Sequence, residues 1–435
     1  MKNLSAIILL ILALANCTTS EKRADLCIKP PMGYNSYDSY GNSLNQETAV
    51  KLMDVMAEKY LQSGYEYFVI DLGWYTEKQL FNIDENGLPE PSKLYFSNGI
   101  KILADHAHKK GLKFGLHLMR GVLKQAVEQN CIVKGTNIPV KDIIDTLSIC
   151  TWADFMIGVD MSKPGANEYY TSLINKMASW NIDFIKYDDL TGMPKELNAI
   201  AKAIENCGRP IVLSLSPGED TKLQFLQYYQ NANVLRTTAD IWDNQESIDR
   251  GFTAMNIYQG RGFPGFWPDL DMIALGPLLV NSDAKRLCKF NADQAYTFIT
   301  QRAIFASPLI IGGDMLSMDE FTYKLLTNKD MIACNQNGFS GIQTLNKDST
   351  EIYVAPNKED PAKGWVAIFN RTHQSQIITI RKSDFGFSYN RSSLDVLLKD
   401  YRLHDIWTQK EYSLADSLQL IIPGNGVVFA GYNEL

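Results

Sequence analysis

The feature that most constrains this chain is an alternation of short apolar runs with longer helix-like ones. From about Pro31 to Pro308, β-like runs at Tyr67–Asp71, Lys113–His117, Phe184–Asp188, Ile211–Ser214 and Pro308–Ile311 are separated by helix-like stretches at Thr48–Gln62, Gly99–Lys110, Glu168–Asn181 and Pro194–Asn206. Strands alternating with helices pair in parallel through right-handed crossovers. The runs are apolar at successive positions, as a sheet covered on both faces requires. Eight such units over ~290 residues predict an α/β fold, a (β/α)8 TIM barrel, assigned to residues 27–330. The alternative is a doubly wound open sheet. It would be expected to carry a glycine-rich nucleotide loop, and no G-x-G-x-x-G follows the first strand.

Beyond Asn335 the texture changes. Glu351–Val354, Trp365–Phe369, Gln376–Ile380 and Gly426–Ala430 are short strands separated by Asn, Asp, Gly and Pro turns. They predict a C-terminal antiparallel β-sandwich domain over residues 336–435. At roughly 150 residues per domain, 435 residues suggest two or three domains, and a barrel counting as one makes it two.

At the N-terminus Lys2 precedes an apolar run, Ala6–Ala15, too short for the ~20 residues a bilayer span takes. A basic residue before such a run reads as a signal peptide over residues 1–17. Leu14-Ala15-Asn16-Cys17 is similar to a bacterial lipobox, in which Cys17 becomes the lipidated first mature residue, although Asn16 is larger than the usual residue before it. The expectation is an exported, periplasmic or cell-surface protein anchored through Cys17; a plain cleaved signal and a retained cytoplasmic N-terminus are the alternatives. Without Cys17, the remaining cysteines are even in number, which permits disulfides without requiring them. No CxxC spacing suggests structural zinc. Acids outnumber bases 49 to 42, so the chain lacks the basic excess typical of a nucleic-acid binder.

In a barrel the chemistry sits where strands end, and several strands here end in charge. Asp71 ends the second, His117 the third, and Lys186 and Asp188 the fourth; Arg236 and Asp240 belong to the sixth candidate strand, Asn233–Ala239; Asp269 and Asp271 follow Trp267. Solvated strand ends are the bland explanation for any one of them, and their convergence on one rim is what weakens it. Lys186 and Asp188 are two apart and share a face. A cation there favours an ionised carboxylate, which suits a nucleophile. Asp240 has no cation two residues away, which suits an acid. Two carboxylates flanking a pocket are what glycoside hydrolysis needs. His106 and His108 form H-x-H, but residues two apart on a helix face different ways, so they read as solvated surface rather than metal ligands.

Pro30–Tyr37 (PPMGYNSY) resembles the opening P-P-M-G-W-N-S-W of glycoside hydrolase family 27, the α-galactosidase or melibiase family. Tyr67–Trp74 (YFVIDLGW), Gly111–Leu116 (GLKFGL), Phe184–Asp189 (FIKYDD), Arg236–Asp243 (RTTADIWD) and Trp267–Met272 (WPDLDM) are similar, in order, to later segments of that family. The resemblance extends through Ala306–Met315 and Trp365–Arg371, so it spans almost the whole mature chain. It implies that Asp188 is the catalytic nucleophile and Asp240 the acid/base. It further implies that Asp71, Lys186, Arg236 and Asp271 contact sugar hydroxyls, and that Tyr37 is an aromatic wall behind the sugar. The implied activity is retaining exo-hydrolysis of terminal α-galactoside-like residues in an oligosaccharide or glycan, with no metal or organic cofactor.

The chain departs from the family at Leu72, where a second aspartate is usual, at His117, where a tyrosine is usual, and at Leu190, where a disulfide cysteine is often found. Leu213–Gly218 (LSLSPG) lacks a large polar residue used near the sugar 2-position. His117–Gly121 (HLMRG) and LSLSPG resemble a divergent bacterial subgroup. Leu72 motivates the same chemistry on another glycone: α-N-acetylgalactosamine, β-L-arabinopyranose or an α-glucan end. Arg120 is a candidate contact to a substrate substituent, His117 a candidate sugar contact, and Trp152 and Trp242 candidate stacking platforms. A non-catalytic glycan-binding lipoprotein and a metal-dependent barrel hydrolase are the competing classes.

Overall fold

The computed structural model describes residues 25–77, 80–218, 221–385 and 399–435; residues 1–17, expected to be a signal peptide, and Cys17 with them lie outside these. Eight strands form one parallel sheet: β1 (Met32–Asn35), β2 (Tyr67–Ile70), β3 (Lys113–Met119), β4 (Phe184–Asp188), β5 (Val212–Leu215), β6 (Val234–Arg236), β7 (Trp267–Asp269) and β8 (Leu309–Ile311). Their order is β7-β6-β5-β4-β3-β2-β1-β8. Just past β7, Ile273 bridges to Ile311: its N–H donates to Ile310 O at 2.7 Å and its carbonyl accepts from Gly312 N at 3.0 Å. That contact closes the sheet into a (β/α)8 barrel.

The helices follow from their sequence pattern. In α1 (Gln46–Lys59), Asn45 caps the first turn by accepting from Thr48 N, and Ala49, Leu52, Met53 and Met56 form the buried stripe. α2 (Ile100–Lys109), α3 (Ala166–Ser179), α4 (Pro194–Asn206), α5 (Leu226–Tyr229), α6 (Gln245–Tyr258), α7 (Ala292–Phe305) and α8 (Glu320–Leu326) complete the ring. α5 is a single turn, too short to show a period. His106 and His108 of α2 do face different ways, but toward carboxylates rather than open solvent: Asp54 at 2.9 Å and Asp183 at 2.7 Å.

Inside the barrel a plug fills the end where the strands begin: Cys27, Tyr67, Val69, Phe184, Val212, Trp267 and Ala306 pack together. Glycines make room for it. A Cβ on Gly33 would lie 2.2 Å from Tyr67 O, and one on Gly115 would lie 2.9 Å from Phe184 Cβ.

The C-terminal strands are β9 (Ile342–Lys347), β10 (Thr350–Pro356), β11 (Lys363–Asn370), β12 (Gln376–Arg381), β13 (Tyr401–Asp405), β14 (Glu411–Leu414), β15 (Ser417–Ile422) and β16 (Val427–Glu434). Six form an antiparallel sheet, β9-β10-β11-β16-β13-β14, and β12 and β15 form a separate pair. Strand alternation assigns the two faces. Ile352, Val354, Val366 and Ile368 meet Ile378, Ile380, Leu420 and Ile422 of the pair. Tyr353, Ala355, Ala367 and Phe369 join the barrel core instead. The barrel contacts are aromatic: Phe369 packs on Phe252 of α6 at 4.9 Å between centroids, and Trp407 stacks on Tyr296 of α7 at 5.2 Å. The cysteines Cys27, Cys131, Cys150, Cys207, Cys288 and Cys334 are all free thiols.

Candidate active site

The two-residue period of β4 builds the site. Ile185 and Tyr187 point out into the helix layer, while Phe184 points into the plug. Lys186 and Asp188 therefore rise above the plug on the inner face. β2 does the same with Tyr67, Val69 and, one residue past its end, Asp71.

Lys186 Nζ donates to Asp71 Oδ2 at 2.9 Å and lies 3.6 Å from Asp188 Oδ2. His117 Nε2 lies 3.1 Å from the same Asp188 oxygen, close enough for an ion pair but out of line for a hydrogen bond. Asp188 Oδ1 is buried with no hydrogen-bond partner among the described residues. Burial pushes the Asp188 carboxyl up, but Lys186, His117 and Arg236 more than reverse this and hold it far below the usual carboxylate range. Asp71 follows the same logic: burial raises it, Lys186 and His117 lower it, and the balance is downward. Lys186 is pushed the other way, because Asp188 and Asp71 outweigh its burial.

On the opposite strands, Arg236 Nη2 donates to Asp240 Oδ1 at 2.7 Å, and its Nη1 to Asp271 Oδ1 at 3.4 Å. Asp271 Oδ2 accepts from Ile241 N at 3.0 Å, tying the segment after β7 to the loop after β6. Asp271 has a left-handed backbone, φ 69°, uncommon for a residue with a side chain. Beneath it, Asp269 is buried against Ser307. Burial first, and then the Asp271 charge, push its carboxyl up to about 7.

These groups converge on one cavity of about 280 Å³, small among ligand pockets. Tyr37, Asp71, Lys186, Asp188, Arg236, Asp240 and Asp271 all line it. Tyr37 sits on a one-turn helix after β1 with Lys186 Nζ 5.8 Å from its ring centre. Leu72, Trp152 and Trp242 line the same cavity.

Three sequence expectations change. His117 is not on the cavity wall; its position in β3 is in register with Lys186, which buries it completely behind Asp188. Arg120 is buried too and meets protein rather than solvent. It pairs with Asp189 at 2.8 Å and Glu196 at 2.9 Å, while its backbone N–H donates to Asp188 O. Asp240 does have a cation: the loop after β6 folds back so that Arg236, four residues earlier, reaches it. The sequence reading also passed over Asn35 and Ser36. Asn35 Nδ2 donates to Asp71 Oδ2 at 2.7 Å, and Ser36 Oγ accepts from Asp71 N at 3.0 Å. Both lie in the PPMGYNSY segment, in which the sequence alone assigns a role only to Tyr37.

Comparison with known proteins places the chain in a family. A melibiase family model described as alpha galactosidase A matches residues 35–134 and 140–337. Alpha-galactosidase A of Cellvibrio japonicus (strain Ueda107) is 27% identical over 441 residues, covering 94% of this chain and 93% of that protein. Alpha-N-acetylgalactosaminidase of Gallus gallus is 24% identical over 430 residues, covering 92% of each. The crystal structure of a β-L-arabinopyranosidase of glycoside hydrolase family 27 from Geobacillus stearothermophilus superposes with a TM-score of 0.88 at 33% identity, covering 94% of this chain and 98% of that one. Carboxylates and cations gathered at the strand ends of a barrel thus occur in a chain whose family match runs through that barrel, and the chain belongs to glycoside hydrolase family 27 as a glycoside hydrolase.

Proposed function

We propose that the protein is a retaining exo-glycosidase for galacto-configured pyranosides, with Asp188 as nucleophile and Asp240 as acid/base. The observation that carries this reading is the placement of one carboxylate. Asp188 lies on the cavity wall with its Oδ2 3.6 Å from Lys186 Nζ and 3.1 Å from His117 Nε2, neighbours that hold it ionised. An ionised carboxylate at the wall of a sugar-sized cavity is ready to attack. In the first step a carboxylate oxygen of Asp188 bonds to the anomeric carbon, the glycosidic C–O bond breaks, and Asp240 gives its proton to the leaving oxygen. In the second, water gives a proton to Asp240 and attacks the same carbon, and the bond to Asp188 breaks. Two inversions leave the anomeric configuration unchanged. Asp71, Lys186, Arg236 and Asp271 bind the sugar hydroxyls, Tyr37 forms the wall behind the ring, and His117 steadies Asp188 from behind.

Leu72 supports a second reading of the glycone. A β-L-arabinopyranosyl ring is an α-D-galactopyranosyl ring without its hydroxymethyl group. An apolar side chain beside Asp71 gives an extra hydroxyl nothing to bond, and a polar group left unmatched weighs heavily in specificity. The Geobacillus stearothermophilus neighbour is named for the pentose. A panel of aryl α-D-galactoside, N-acetyl-α-D-galactosaminide, β-L-arabinopyranoside and α-D-glucoside, with NMR of the first-formed anomer, tests both points. A retained anomer from one of the first three is expected; an inverted anomer overturns the Asp188 assignment. Export with attachment through Cys17 also belongs to this reading. Fatty-acid labelling of the full chain in a bacterial host, lost in Cys17→Ala, is the expected result.

A further inference from the structure

The cavity is closed at one end and open at the other. The Asp188 side chain is 14% exposed and that of Asp240 is 68% exposed. Lys186, Asp188 and Arg236 come from strands, and Asp71 from the residue just past one. Leu72, Trp152, Pro217 and Trp242, with Asp240 and Asp271 among them, lie in loops beyond strand ends. The strands run toward the mouth, so these loops form a largely apolar collar around it.

Two members of the collar are indoles. Trp242 lies two residues past Asp240: its backbone N–H donates to Ser247 Oγ at 2.9 Å, and the Arg286 guanidinium lies 5.5 Å from its ring centre. Arg286 is itself fixed on Asp243 by bonds of 2.7 and 3.1 Å. Trp152, in the loop after the exposed edge strand Ile144–Ile149, is 51% exposed. Leu147 and Ile149 of that strand are exposed as well.

We infer that the collar is an aglycone site, in which Trp242 and Trp152 hold the flat apolar face of the departing group, a sugar ring or an aromatic ring. The inference rests on Asp240 being the acid, because the leaving oxygen must depart past that residue. A rigid aromatic presents large contact area at little ordering cost, and a pyranose C–H face and a benzene ring offer it the same kind of surface.

The test compares three substrates of one glycone: the glycosyl fluoride, whose leaving group is too small to reach the collar, the phenyl glycoside and a 1→6-linked disaccharide. In Trp242→Ala and in Trp152→Ala, kcat/KM for the two larger substrates relative to the fluoride is expected to fall roughly fivefold to tenfold, mostly through KM. A fall for the phenyl glycoside alone assigns the collar to aromatic groups, and a fall for the disaccharide to sugars. Ratios unchanged in both variants, whatever happens to the absolute rates, overturn the inference. A wild-type protein inert on all three overturns the glycosidase reading as well, so the two failures are distinguishable.

Discussion

Asp188 sits where burial opposes ionisation, yet its neighbours hold it ionised far below neutral pH. The acid limb of a pH–rate profile should therefore belong to another group. Asp188→Ala is expected to lower kcat by at least ~10⁴-fold, and added azide should restore turnover with the opposite anomer as product. Asp269 makes the contrary case. Its carboxyl is raised from 3.8 to about 7, so it stays protonated in the folded chain while the unfolded chain ionises. Its contribution to stability is full below about 4 and is lost as pH rises through about 7. Asp269→Asn keeps an acceptor for Ser307 and Asp271 N. It is expected to stabilise the protein by about 2 kcal/mol above neutrality and to flatten the pH dependence of urea unfolding across that window. The Lys186–Asp188 pairing was legible because two-residue spacing on a strand fixes a shared face. The Arg236–Asp240 contact was not, because it depends on how a loop turns.

The ends of β3 and β4 are joined through Arg120. Its guanidinium meets Asp189 and Glu196, and Tyr170 donates to Glu196 from α3. Asp189 has a left-handed backbone, φ 62°, which the Arg120 bonds to its carbonyl and carboxylate secure. Arg120→Met leaves the buried Glu196 and the half-buried Asp189 without their cation and is expected to cost about 3 kcal/mol in chemical denaturation. Adding Glu196→Gln should recover part of that loss. The sequence showed the strands and most of the helices because their periods are long and clean. It placed Arg120 near the sugar because a charged residue just past a strand points by default to the mouth. Only the tertiary meeting of β3, β4 and α4 shows that a carboxylate reaches it first.

The barrel and the C-terminal sheet share one apolar seam. Trp407 stacks on Tyr296 and donates to Thr300 Oγ1 at 2.9 Å, and Arg371 of the C-terminal part pairs with Asp249 of α6 at 2.8 Å. The two parts should therefore melt in a single calorimetric transition. Trp407→Ala is expected to cost about 3 kcal/mol and to split or broaden that transition. The sandwich was readable from its turns. The seam was less so, because both faces of β10 and β11 are buried and the sequence alone does not say which face meets the barrel. At the other extreme of the molecule, Cys27 O accepts from Trp267 Nε1 at 2.8 Å, so the first described residues cork the end of the barrel where the strands start. The chain enters on the side opposite the cavity. Coupled to a bead directly at Asp25, with residues 1–24 removed, the enzyme would face outward like a cup set on its base, its mouth open to substrates too large to pass beneath it.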